Sequence, residues 1–217
     1  MMVLQKKEMM VIYMNKFVAH PWHGISLYEQ EPDIVNAFIE LTPSDTVKYE
    51  LNKETGLLSI DRPQSFSNIC PTLYGMLPQT YCGPRVADVC RTKFGREGII
   101  GDQDPLDICV LSEKLITNGN ILLRAIPIGG IKLIDDNEAD DKIIAVLRDD
   151  ALYGEWRDIS QVPKRVLERL EHYFLTYKRG PKSESNRCEI IDVYGREEAL
   201  EIIKLSSIDY KEKFNLE

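Results

Sequence analysis

The chain carries a succession of short β-branched and apolar runs that stop and restart before any could become a helix: Ala37–Leu41, Val47–Leu51, Leu57–Ile60, Ile108–Leu111, Ile121–Ile126, Gly130–Ile134 and Lys142–Leu147. Pro, Gly, Asn and Asp separate them, which reads as strands joined by turns. No helical pattern alternates with them before the C-terminal third, so the spacing favours a barrel or a strongly coiled sheet over a βαβ fold. With 217 residues, we expect one domain over 1–217, large enough to bury a core without staples. Residues 1–30 read as an N-terminal arm ending in the turn His20-Pro-Trp-His-Gly24. The stretch 75–100, with Gly83-Pro84 and Gly95, reads as a long surface loop or insertion.

Two helices are expected to close the chain. The first runs from about Gln161 to Lys178, with Pro163 in its first turn. Val162, Val166, Leu170, Phe174 and Tyr177 form its apolar stripe, and Arg179-Gly180-Pro181 stops it. The second runs from about Glu197 to Phe214, with Leu200, Ile203, Ser207, Tyr210 and Phe214 on one side. The expected class is therefore mainly β with helices (α+β).

The formal net charge is −8. Such a surface repels nucleic acid and anionic membranes, so neither is an expected partner. It also repels a free polyanion, so a phosphate substrate would need recruited cations or a local concentration of Lys and Arg. The five cysteines include no CxxC pair, which argues against a disulfide framework or zinc finger and for a reducing cytoplasm. The apolar run Met9–Met14 is shorter than a signal-peptide core, and no stretch approaches the ~20 apolar residues of a membrane span. Five methionines in the first fourteen positions leave the translation start open.

Against that background the carboxylates are informative. Asp102, Asp104 and Asp107 surround Pro105. In extended chain Asp102 and Asp104 point the same way, and the bend at Pro105 returns Asp107 to the same region. Carboxylates brought together stay ionised only if something positive joins them, and oxygen ligands select Mg²⁺ or Mn²⁺ over zinc. An EF-hand would place Glu113 at its twelfth position, but Leu106 then stands where a ligand is needed and Asp107 where the glycine belongs. A second acidic run, Asp135-Asp-Asn-Glu-Ala-Asp-Asp141, has the form of a solvated hairpin turn. Asp140 and Lys142 nevertheless share a face where a strand begins. Lys48, Arg62, Tyr74, Tyr177 and Lys178 complete a dispersed cationic and phenolic set. Each alone is ordinary: Lys178, for example, suits the negative end of a helix dipole. Together with the carboxylates they make the two halves of a metal–phosphate site. Neither a Walker A loop nor GxGxxG is present.

In these residues the chain resembles the soluble inorganic pyrophosphatases of family I. The signature Asp-x-Asp-Pro-x-Asp is present as Asp102-Gln-Asp104-Pro-Leu-Asp107. The other matches follow in the family's order: Glu40, Lys48-Tyr-Glu50, Asp61-Arg62, Tyr74-Gly75, the acidic hairpin with Asp135, Asp140 and Lys142, and Tyr177-Lys178. The resemblance implies an OB-like five-stranded barrel core flanked by two C-terminal helices, several Mg²⁺ per subunit with Mn²⁺ as an alternative, pyrophosphate as substrate, and a homo-oligomer. It implies Asp102, Asp107 and Asp140 as ligands of one activating metal, with Asp107 shared by a second. Asp135 joins Asp140 near substrate-borne magnesium, and Glu40 and Glu50 act through bound waters. Asp104 is the candidate general base. Lys48, Arg62, Tyr74, Lys142, Tyr177 and Lys178 are candidate phosphate ligands. Cys70 stands where many members have tyrosine. The 75–100 stretch is longer than in compact members, which leaves dimer and hexamer both open. The competing expectation is a non-catalytic OB-like binding module or scaffold. The acidic charge and the lack of an aromatic and basic strand face weigh against nucleic acid.

Overall fold

A computed structural model describes residues 19–28, 31–178 and 188–216. Five strands close on themselves: β1 (Val35–Leu41) pairs with both β4 (Leu73–Met76) and β7 (Ile121–Asp135), and the path between these runs through β6 (Asp107–Leu111) and β9 (Lys142–Leu147). Closure removes the free edges that an open sheet of this size would expose. β6 and β9 are parallel, while the other pairs in the ring are antiparallel. β2 (Val47–Leu51) and β3 (Leu58–Pro63) form a separate hairpin. The short β5 (Ile100–Gly101) pairs with β8 (Glu138–Ala139), and β10 (Cys188–Gly195) extends β7.

Both faces of the ring are covered, which explains why β1 is buried at every residue and shows no polar alternation. On one face Ile108, Val110, Ile143 and Ala145 pack with Ile202 and Ile203 of helix α3 (Arg196–Lys213). On the other, Cys109, Leu111, Ile144 and Val146 pack with Leu170 and Phe174 of helix α2 (Lys164–Thr176). Full burial of a Leu, Ile or Phe side chain is worth ~1.5–3 kcal/mol, so both helices are tied to the ring by several such contributions. The expected barrel with two C-terminal helices is observed.

Several expectations need correction. Ile121–Ile126 and Gly130–Ile134 belong to the single long strand β7, whose register shifts between Pro127 and Gly129. Pro127 removes a donor and bends the strand without ending it. Gly129 and Gly130 are packing sites: a Cβ at Gly130 would lie 2.3 Å from the Tyr194 ring and hydroxyl. The stretch expected as a loop contains helix α1 (Pro84–Phe94), with Val86, Ala87 and Cys90 buried. Gly83-Pro84 is its start, with Pro in the first turn, and Gly95 in left-handed conformation (φ 59°) is its end. The expected breakers are thus helix boundaries. The buried stripe of α3 is rotated from the one expected: Ala199, Ile202, Ile203, Ser206, Asp209 and Tyr210 face inward. Asp209 turns inward because it accepts from the Arg85 backbone at 3.0 Å and guanidinium at 2.8 Å. The stop expected at Arg179-Gly180-Pro181 and most of the N-terminal arm fall outside the described residues. The turn at His20 is present, closed by Gly24 N–H to the His20 carbonyl at 2.7 Å. No helix among the described residues is long and apolar enough to cross a membrane.

The acidic hairpin turns tightly at Asp136 and Asn137, both with positive φ (49° and 74°), as a two-residue turn between right-twisted strands requires. Behind it, Lys132 and Asp141 form a fully buried ion pair (3.2 Å, both side chains 0% exposed), with Glu198 3.3 Å from the same ammonium. Removing one partner strands a charge in the core. Lys132→Met is expected to lower unfolding free energy by ~3–5 kcal/mol, and Lys132→Met/Asp141→Leu to regain most of it. Urea denaturation measures both. A single variant as stable as the parent contradicts this.

Candidate active site

The strands fix where the functional side chains meet. Asp107 opens β6 and is paired across the sheet with Met76 of β4 on one side and Lys142 of β9 on the other. Side chains alternate along strands, so Tyr74 projects from the same face as Met76, and Asp140 from the same face as Lys142. The Lys142 ammonium bonds to Asp107 and, at 2.5 Å, to Asp140. The Tyr74 hydroxyl donates to Asp107 at 2.5 Å. The β2–β3 hairpin leans over this group and brings Lys48 to Glu50 (2.9 Å) and Asp61 (2.8 Å), with Arg62 also bonded to Asp61. Lys178, just past α2, pairs with Asp135 at the end of β7. The Asp104 amide donates to Asp102 at 2.9 Å, an Asx turn that folds the segment over left-handed Gln103 (φ 66°).

All of these side chains line one cleft of about 330 Å³, and every expected site residue is among them: Glu40, Lys48, Glu50, Arg62, Tyr74, Asp102, Asp104, Asp107, Asp135, Asp140, Lys142, Tyr177 and Lys178. Of the charged lining residues, the sequence assigned no role to Lys53, Asp61 and Glu138. Asp61 was detectable, since it shares the short β3 segment with Arg62. Lys53 was not, because Asn52–Gly56 reads as an ordinary turn. Cys70 lies outside the lining, fully buried, and burial pushes its thiol up to about 11. It is neutral packing in this protein.

The cleft is electrostatically unbalanced, with nine carboxylates against five cationic side chains. Burial, with Asp140 and then Asp107 nearby, holds Asp102 well above the usual carboxylate range. Burial raises Asp107 as well, even against Lys142. Burial works against the Lys142 ammonium, yet Asp107 and Asp140 outweigh it and push its pKa well up. Glu40 is driven up to about 8 by burial, against the Leu51 N–H that it accepts at 2.8 Å. Asp135 behaves oppositely: burial would raise it, but the Lys178 ammonium holds it low.

Hard oxygen donors with excess negative charge suit a hard divalent cation. Among the described residues no three His, Cys, Asp or Glu side chains are gathered closely enough, as they stand, to hold one metal ion. The Lys142 ammonium bridges Asp107 and Asp140 instead, as a stand-in cation for the same oxygens. The donor set therefore fits Mg²⁺ by chemistry, with side-chain rotation required to close around it.

A sequence model of the inorganic pyrophosphatase family matches residues 37–211. An inorganic pyrophosphatase of Chlamydia trachomatis is 54% identical over 197 residues, covering 89% of this chain and 94% of its own. Soluble inorganic pyrophosphatase 1 of Arabidopsis thaliana is 36% identical over 194 residues, covering 89% and 81%. The crystal structure of inorganic pyrophosphatase from Thermus thermophilus superposes with a TM-score of 0.73 at 24% identity, over 89% of this chain and 99% of that one. The last likeness establishes the shared OB-like fold.

Glu40 yields a test that needs no substrate. In the unfolded chain its carboxyl ionises near its ordinary value of 4.5; in the native protein it stays protonated to about 8. Between these values the unfolded state binds fewer protons, so native stability falls as pH rises through that window. In magnesium-free buffer, unfolding free energy of the parent relative to Glu40→Gln is expected to fall by a few kcal/mol, in order of magnitude, between pH 5 and 8. A pH-independent difference contradicts the raised pKa.

Proposed function

The chain belongs to the inorganic pyrophosphatase family, and we propose that it hydrolyses pyrophosphate as a magnesium-dependent enzyme in which Asp104 takes the proton of the attacking water. The family's reaction converts pyrophosphate and water into two orthophosphates. The observation that carries the magnesium reading is the carboxylate excess in the cleft, centred on the buried Asp107–Lys142–Asp140 group.

Asp102, Asp107 and Asp140 would hold one Mg²⁺, with Asp107 shared by a second. Asp135 and Asp140 would face magnesium arriving with the substrate, and Glu40 and Glu50 would act through waters. Mn²⁺ would suit the same oxygens. Bound there, the ions supply a lowered pKa for water and neutralisation of phosphate charge.

The chain's own groups do the rest. Asp104 is 43% exposed at the cleft, which leaves its carboxylate open to a water and suits it to receive a proton. Lys48, Arg62 and Lys178 reach the cleft on flexible stems, Lys48 and Arg62 now paired with Asp61 and Lys178 with Asp135. Once released, they can hold phosphate oxygens. Tyr74, Tyr177 and Lys142 present a hydroxyl or ammonium from the inner wall. Arg62 lies 5.8 Å from the Tyr177 ring, a contact that orients its guanidinium. Donors held against the phosphate oxygens offset charge that develops on the leaving group.

We further propose a single-domain, cytoplasmic homo-oligomer. All five cysteines are free thiols and buried, which supports a reducing compartment.

A phosphate-release assay with pyrophosphate and magnesium tests the activity and its metal requirement. Asp104→Asn is expected to lower kcat by ~10²-fold or more, and near-parental kcat across pH refutes its role as base. Asp107→Asn is expected to move magnesium activation to higher concentration. An unchanged magnesium titration contradicts its role as ligand.

A further inference from the structure

The turn His20–Gly24 has no part in the chemistry above, yet it touches both supports of Asp104. We propose that this turn is a positioning element for the base, acting on its side chain through Lys53 and on the backbone around it through the 79–82 loop. The inference rests on the reading of Asp104 as base.

The first arm runs through the β2–β3 turn. The His20 ring lies against Gly56: a Cβ there would meet the imidazole at 2.8 Å. Gly56 is left-handed (φ 71°), so this turn presents bare backbone to the ring. His20 Nε2 bonds the Lys53 carbonyl at 3.2 Å, which requires that nitrogen to carry the proton. Nδ1 correspondingly accepts the backbone N–H groups of Trp22 and His23 at 3.2 and 3.4 Å. One neutral tautomer satisfies all three bonds, and burial favours the neutral ring. Lys53, held at its carbonyl, extends its ammonium to the Asp104 carboxylate.

The second arm reaches the same aspartate from behind. The buried Trp22 indole N–H donates to the Thr80 carbonyl at 2.8 Å. Gln79 N–H donates to the Trp22 carbonyl, also at 2.8 Å. Thr80 Oγ1 in turn accepts the Leu106 N–H at 2.9 Å, and Cys82 N–H donates to the Asp104 carbonyl at 2.8 Å. The backbone on either side of Pro105 is thus fixed to a loop that Trp22 anchors, while Lys53 sets the direction of the side chain. An exposed ion pair alone is worth little and swings freely. Here one partner's backbone is held by a histidine and the other's by a chain of bonds from the adjacent tryptophan, so the pair has a defined geometry. A positioned base loses rate steeply when it is allowed to wander.

Steady-state kinetics on the full chain with magnesium pyrophosphate tests this. Asp104→Asn comes first: if it keeps parental kcat, the base assignment fails and this inference with it. With that assignment standing, Lys53→Met is expected to lower kcat about 10-fold while KM changes less than about twofold, because Lys53 holds the base and not the substrate. Lys53→Arg is expected to restore most of the loss. His20→Ala is expected to lower kcat by a smaller factor, and its effect to shrink in the Lys53→Met background, since part of it runs through Lys53. Lys53 lies on an exposed turn, so its variants read function without loss of the fold. Parental kcat in Lys53→Met overturns the proposal, as does a raised KM with unchanged kcat. Losses that multiply in the double variant break the link from His20 to Lys53 and overturn it as well.

Discussion

A fully buried ammonium sits between two carboxylates at the inner wall of the cleft. Lys142, 2% exposed, bonds to Asp107 and Asp140. An isolated charge at that depth would cost several kcal/mol. Asp107 of β6, Tyr74 of β4 and Asp140 just before β9 meet this one, which determines how those strands must lie. β6 and β9 have to be adjacent and in a register that sets Asp107 beside Lys142. β4 has to present Tyr74 on the same face. One slipped residue would turn the whole set into the opposite core.

The barrel is the device that makes this affordable. Closing five strands into a ring, with a helix on each side, buries enough apolar surface to tolerate concentrated charge at one rim. The polar features inside the core sit close behind that rim. Lys132–Asp141 locks the residue between Asp140 and Lys142 to β7, and the Tyr194 ring packs against Gly130. Burial first, and then the neighbouring carboxylates, raise Asp102, Asp107 and Glu40, while Asp61 and Asp135 are held low by the cations they pair with. On the proposed function, divalent cations would offset the carboxylate excess and admit a polyanion that the acidic surface would otherwise turn away.

What could be read from sequence followed the local physics. β-branched runs announced β1, β2, β6 and β9, and the apolar stripe announced α2. The site residues were readable together, through the Asp102-Gln-Asp104-Pro-Leu-Asp107 signature and the ordered matches that resemble the family; taken singly, each had an ordinary structural explanation. The failures came where local signals are ambiguous. Gly83-Pro84 and Gly95 mark a loop or the two ends of a helix equally well, and only the packing of Val86 and Cys90 decides. Leu73–Met76 is too short to show a period. Asp209 could not be foreseen as buried because its partner, Arg85, lies on another helix. Lys53 belongs to the site only because the β2–β3 hairpin folds over Asp104, a tertiary event that leaves no trace in the turn sequence.

On the proposed function, Asp102 joins Asp107 and Asp140, which now share the Lys142 ammonium, to take a divalent cation. A crystal structure with Mn²⁺, located by its anomalous signal, tests this most directly. The account predicts an ion ligated by all three carboxylates, with the Lys142 ammonium withdrawn from Asp107. Ordered Mn²⁺ elsewhere, with Lys142 still bridging Asp107 and Asp140, would contradict it.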